Sequence, residues 1–309
     1  MVSYIAARLL WLPVVLLAVS LVTFTLGHYG PGDPAQVRLG ARATPEAVEL
    51  LREQLGLNRP FINQYLGYIA GAVQGDFGES YTFQGRSVSE LISRKVWISA
   101  QLGFAALNVA IWLGIPLGLL AAYKHGSWTD TALVSFSLLF YATPVFIAAP
   151  FFILFAALEL HLLPTSGWGG LFSTHIIMPA LIMGLPGVAG VVRLTRASAL
   201  EVLSQDYIRT ARAKGLREVT VQRRHVLRNA LIPILTVVGL SIASLVEGAF
   251  ITETIFGIPG IGRLAVDSIF KRDYPIIMAL VLITASAFVF ANLVVDILYG
   301  ILDPRIRLQ

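Results

Sequence analysis

The chain has 309 residues, of which 56% are hydrophobic and 13% charged, with a mean hydropathy of +0.74. Soluble domains carry about 25% charged residues, so this chain cannot coat a water-facing globule with polar side chains, which excludes a soluble enzyme. Cysteine is absent and the net charge is +5, which removes disulfide and thiolate chemistry and leaves the charge to be read loop by loop rather than as a nucleic-acid footprint.

The first apolar stretch runs from Leu9 to Tyr29, about 31 Å as a helix and long enough to cross a bilayer. Ala18-Val19-Ser20 resembles a signal cleavage site, but the apolar run continues through Leu21-Val22-Thr23-Phe24, so an uncleaved anchor is expected. An outer loop follows, from Gly30 to about Ile98. In it Thr44-Pro45-Glu46 starts a helix: threonine caps, proline fits the first helical position and glutamate favours the positive helix end. Gly56 ends that helix. Pro60 to Gln74 predicts a second, amphipathic helix with Ile62, Tyr65, Leu66, Ile69 and Val73 on one face.

Further spans are expected at Ser99–Ala122, Thr131–Leu158, Ile177–Leu200, Leu231–Thr252 and Ile276–Ile301. The third span contains Pro144 and Pro150, so it should tilt or kink, or else divide into two short membrane segments. The expected fold class is an all-α integral membrane protein with about six transmembrane helices. Arginine and lysine concentrate in the short loops on the N-terminal side, Arg209 to Arg228 above all, which places both termini in the cytoplasm.

The segment Glu201 to Asn229 lies on that cytoplasmic side. Asp206 is expected to cap a short helix through Tyr207, Arg209, Thr210, Ala211 and Ala213, with Lys214 and Gly215 closing it. A second helix carries Arg223, Arg224, His225 and Arg228. The small residues allow another backbone to approach, and the basic residues supply hydrogen-bond donors to it. A basic loop that only fixes topology or binds anionic lipid heads is the alternative.

Asp206-Tyr207-Ile208-Arg209-Thr210-Ala211-Arg212-Ala213-Lys214-Gly215-Leu216 and Arg228-Asn229-Ala230-Leu231-Ile232-Pro233 resemble the coupling loop of dipeptide/oligopeptide-type permease subunits of ABC importers. The likeness extends over nearly the whole chain. It includes Pro31-Gly32-Asp33-Pro34, Gly75-Asp76-Phe77-Gly78, Thr252-Glu253-Thr254-Ile255-Phe256, Arg272-Asp273-Tyr274-Pro275 and Asp303-Pro304-Arg305-Ile306-Arg307. Arg209-Thr210-Ala211 with Gly215 stands where the general permease pattern has Glu-Ala-Ala and glycine, so the glutamate is replaced. The short outer segment Glu159 to His175 also resembles nickel-type branches.

The resemblance implies a type I ABC importer permease. Its parts would be a tail and first transmembrane helix (1–29), a folded outer loop (30–98) and a core domain (99–309) with five transmembrane helices and a coupling loop (201–229). It implies a second homologous permease subunit forming a heterodimer, two cytoplasmic ABC ATPase subunits docking on Asp206–Gly215 with Arg223 and Arg224, and an extracytoplasmic solute-binding protein. The solute would be a di- or oligopeptide, or a nickel chelate or other peptide-like molecule. The chain contains no Gly-x-x-x-x-Gly-Lys-Ser/Thr loop, so ATP and Mg would be bound by the partner ATPases and this chain would carry no cofactor.

Glu247 falls inside the fifth span, where a carboxylate usually faces a cavity or a partner, and it is a candidate for the translocation path beside a purely structural reading. Asn108 and Asn292 read as interhelical hydrogen-bonders and as candidates for the same path. Arg193 and Arg196 are expected to snorkel at the inner end of the fourth span. A stand-alone secondary transporter would call for inverted repeats, of which none is visible. An intramembrane enzyme would need Gly-x-Ser-x-Gly, His-Glu-x-x-His or paired intramembrane aspartates.

Overall fold

The computed structural model describes residues 2–40, 43–231, 233–234 and 249–302. Apart from an isolated bridge between Glu79 and Ser87, all regular structure among them is helical. The fifth expected span, with Glu247, lies largely outside the described residues, as do Arg305 and Arg307. Contacts divide the chain into two compact units. One comprises Met1–Ser99, Val246–Phe250 and Pro259–Gln309; the other comprises Ala100–Leu245 and Ile251–Ile258.

In the first unit, α1 (Val2–Tyr29) leads into short outer helices α2 (Pro34–Leu39), α3 (Pro45–Gln54) and α4 (Phe61–Val73). Asp33 accepts a hydrogen bond from the Ala35 amide, and Thr44 from the Ala47 amide, so both helices begin cap-then-proline. Gly56, with a φ of 67°, closes α3, and the Leu57 amide bonds back to the Arg52 carbonyl at 3.0 Å. Within the chain α4 covers only part of its expected apolar face. Tyr65 is buried, but Ile62, Leu66 and Val73 stay exposed. Phe61, Tyr65 and Tyr68, spaced to share a face, meet Phe24 of α1, and the Tyr65 hydroxyl bonds Ser20 at 2.9 Å.

α5 (Val88–Tyr123) begins earlier than Ser99 because Val88, Leu91 and Ile92 enter an apolar core. There they pack with α12 (Ile261–Lys271) and α13 (Tyr274–Leu302). The motif around Asp273 has a local purpose. Its fully buried carboxylate accepts from the Ser80 hydroxyl at 2.5 Å and from the amides of Tyr81 and Thr82, stitching the outer loop to the turn before α13.

In the second unit, α5 continues beside α8 (Ile177–Leu203). A Cβ on Gly118 would meet the Thr195 Cβ at 2.6 Å and the Val192 carbonyl oxygen at 2.7 Å, so only glycine permits this approach. α6 (Trp128–Ala142) and α7 (Val145–Phe152) meet at an angle of 101°, and α7 runs on as a π-helical stretch, Ile153–Glu159. The break falls at Thr143–Pro144, so the third expected span consists of two sharply bent helices rather than one continuous helix. Proline lacks the amide needed to continue the ladder, and Val145 restarts a helix after it. α11 (Phe250–Ile255) ends at Gly257, and the Phe256 carbonyl accepts from the Gly167 amide at 2.8 Å.

Three described helices are long and apolar enough to cross a membrane: Trp11–Tyr29, Val88–Tyr123 and Thr174–Leu203. The bent pair α6–α7 is a fourth candidate. Trp112, Phe136 and Phe155 lie uncovered on such helices, as a hydrocarbon solvent allows.

Candidate coupling site

α8 stops at Leu203, and after a two-residue turn the chain forms α9 (Asp206–Ala213). Gln205 occupies the N-cap position without a side-chain cap, so Asp206 does not cap the helix as expected. It stands at the first helical position, where its carboxylate still favours the positive helix end. The other end follows expectation. Gly215 has a φ of 75°, its amide bonds the Arg212 carbonyl at 2.9 Å, and the Leu216 amide bonds the Ala211 carbonyl at 3.3 Å. This paired closure satisfies two carbonyls that would otherwise be orphaned and reverses the chain within two residues.

The chain then forms α10 (Glu218–Thr220), which widens into a π-helical stretch, Val221–Leu227. Ile208 and Ala211 of α9 pack with Val221, Val226 and Ala230. They share this core with Ala122 at the end of α5 and Ala199 near the end of α8. Arg212 crosses the turn to Glu218 with two contacts, 2.8 and 3.2 Å, and thereby holds the Glu218 carboxyl below the usual carboxylate range. The Asn229 amide donates to the Tyr207 hydroxyl at 3.1 Å and to the His225 carbonyl.

The candidate residues thus divide by face. Asp206, Tyr207, Arg209, Thr210, Ala213, Lys214, Gly215, Arg223 and Arg224 are exposed, with Leu216 and Val219 adding uncovered apolar surface among them. Ala211 faces inward. Its small size serves packing within the chain, and it offers no surface to a partner.

Of the path candidates, Asn108 and Asn292 are described, and Glu247 lies outside the described residues. The Asn108 amide donates to the Phe104 carbonyl of its own helix at 2.8 Å, and Asn292 is half-buried on α13, in the other unit. Arg193 lies 5.8 Å from the centre of the Tyr141 ring.

Arg196 does not snorkel. Its Nε and Nη2 donate to the two oxygens of Asp130 at 2.6 and 2.7 Å, and Asp130 also accepts from the Gly126 amide at 3.1 Å. His125 Nδ1 lies 2.9 Å from Nη2 and 3.3 Å from the Asp130 Oδ2 atom. Sequence reasoning missed Asp130 and His125. Ser127 three residues before Asp130 signals a helix start, which the structure contains, but nothing in the sequence points to an arginine 66 residues away.

Residues 114–308 match the family described as "Binding-protein-dependent transport system inner membrane component", and residues 1–87 match "Binding-prot-dependent transport system membrane comp, N-term". The chain is 39% identical over 310 residues to the probable peptide ABC transporter permease protein y4tP of Sinorhizobium fredii, covering 98% of this chain and 99% of that one. It is 39% identical over 337 residues to the dipeptide transport system permease protein DppB of Escherichia coli, covering 99% of each. It is 40% identical over 310 residues to the glutathione transport system permease protein GsiC of Escherichia coli, again covering 99% of each. Among solved structures, an inward-facing crystal form of the MetNI methionine ABC transporter superposes with a TM-score of 0.52 at 16% identity. The match covers 69% of this chain and 96% of that one, and it shows a shared fold.

Proposed function

Because the chain belongs to the binding-protein-dependent transport system inner membrane component family, the permease subunits of ABC importers, we propose that it pairs with a second, similar permease to move small peptides inward through the membrane. The chain is a multi-pass permease and not itself an enzyme. In this reading two ATPase subunits dock on the exposed face of α9 and bind the ATP and Mg, and a binding protein delivers the solute from outside. The relatives named above are permeases for peptides, dipeptides and glutathione, itself a tripeptide, which supports a solute of two or a few residues.

The observation that carries the reading is the coupling segment itself. α9 presents Tyr207, Arg209 and Ala213 outward, with Lys214 and Leu216 of the following turn and Val219 of α10 exposed beside them, while Ile208 and Ala211 fuse it to the ends of α5 and α8. A push on α9 must therefore move membrane helices. Both termini are assigned to the cytoplasm together with α9, and Glu247, Asn108 and Asn292 to the translocation path.

Reconstitution in liposomes with a second permease, the ATPases and a binding protein tests this. Labelled dipeptide should enter only with ATP and binding protein present. Uptake by this chain alone, driven by an ion gradient, would overturn the reading.

A further inference from the structure

Asp130 accepts two bonds from Arg196 and one from the Gly126 amide, with His125 Nδ1 3.3 Å from Oδ2, and 6% of its side chain is exposed. It stands in the first turn of α6, while Arg196 stands on α8, which runs on through Ala199 into the core that holds α9. We infer that Asp130 and Arg196 are positioning residues for energy coupling, a strut that carries displacement of α9 into α6. The inference rests on the reading that α9 is the ATPase docking element.

Three observations support it. The contacts form an unbroken series: α9 packs on α8 through Ile208, Ala211 and Ala199, and α8 grips α6 through the two-pronged Arg196–Asp130 contact. No loop intervenes that could absorb the movement. Next, stability alone does not account for the pair. A buried ion pair roughly breaks even against apolar packing of similar volume, so an apolar contact would hold α6 against α8 equally well. What the paired prongs add is resistance to rotation and sliding, because guanidinium and carboxylate lie in one fixed plane. Finally, α6 ends at the 101° break before α7. A shift at its base becomes a change of direction at Pro144, which turns a push on the coupling face into movement within the membrane.

The test measures solute moved per ATP hydrolysed in the reconstituted complex. Wild-type uptake is the control for the function itself: its absence would count against the proposed function, not against the strut. In Asp130→Asn and Arg196→Gln, ATP hydrolysis should continue while uptake per ATP falls by about 5- to 150-fold, the span of ordinary site-to-site coupling. Arg196→Lys keeps the charge but loses the prongs and should fall in between. The exchange Asp130→Arg with Arg196→Asp should recover most of the ratio.

The natural chain has no cysteine, so Asp130→Cys with Arg196→Cys can be joined specifically by a short cleavable bifunctional thiol reagent. The ratio should return on cross-linking and disappear on cleavage. A wild-type ratio in the single variants, or a cross-linked pair that stays uncoupled, would overturn the inference. Failure of both to assemble would overturn it as well, since the pair would then be a requirement for folding.

Discussion

Arg212 and Glu218 face each other across Gly215, with guanidinium and carboxylate 2.8 Å apart at their closest atoms. The contact joins the last turn of α9 to the first of α10, so the reversal between them is held by a side-chain latch as well as by its backbone bonds. Both partners are about half exposed, which limits the latch to about 1 kcal/mol or less.

Acid should open it. The folded-state pKa of Glu218 lies below the ordinary 4.5, so its contribution is present above that value and lost as pH falls through the folded value. The apparent melting temperature of the purified permease should therefore fall less on acidification below 4.5 in Glu218→Gln than in the natural chain. Equal slopes in the two proteins would show that the latch adds nothing.

Gly215 tests the turn without steric ambiguity. A Cβ there would meet nothing within 4 Å, so substitution acts only through the positive φ. Gly215→Ala should cost about 1–2 kcal/mol of local stability, and Gly215→Val more because of its branched Cβ. Binding of the ATPases, followed by fluorescence titration, should weaken in that order.

Ala211 and Ala213 separate packing from docking. Ala211→Trp overpacks a filled core and should lower stability by about 1–3 kcal/mol even without partners. Ala213→Trp adds bulk to an exposed position, so thermal melting should stay unchanged while ATPase association fails. If both variants behave alike, the assignment of the two faces is wrong.

On the other unit, Asp273→Asn should free the outer loop. Asparagine keeps one acceptor oxygen and places an amide donor opposite the amides of Tyr81 or Thr82, a loss of about 1–3 kcal/mol for a buried charge-assisted site. Limited proteolysis should then cut between residues 75 and 87 more readily than in the natural chain.

Local chemistry was legible in advance, and long-range choice was not. Thr44-Pro45-Glu46 announces α3, and Gly56 and Gly215 announce left-handed turns, because the residues that decide them are neighbours in sequence. The inward face of α9 is chosen by Ala122 and Ala199, and the buried face of α4 by Phe24. Helical periodicity cannot name such partners. Pro144 marks an interruption, but only packing against α8 decides whether it yields a gentle kink or a corner. Arg196 looked like a snorkelling residue because a lone arginine near a span end carries no sign of the aspartate that holds it.

The shared core beneath α9 bears on how portable this segment is. An eight-residue helix is too short to persist alone in water, and here its apolar support comes from Val221, Val226 and Ala230 and from the ends of α5 and α8. A synthetic peptide copied from residues 205–216 would lack a defined shape and make a poor competitor for the ATPases. A chimera given the same stretch would mispack unless Ala122, Ala199 and Val226 came with it. What the ATPase meets is thus a composite of distant chain segments, so loop exchange between related permeases requires the underlying helix ends to be exchanged as well.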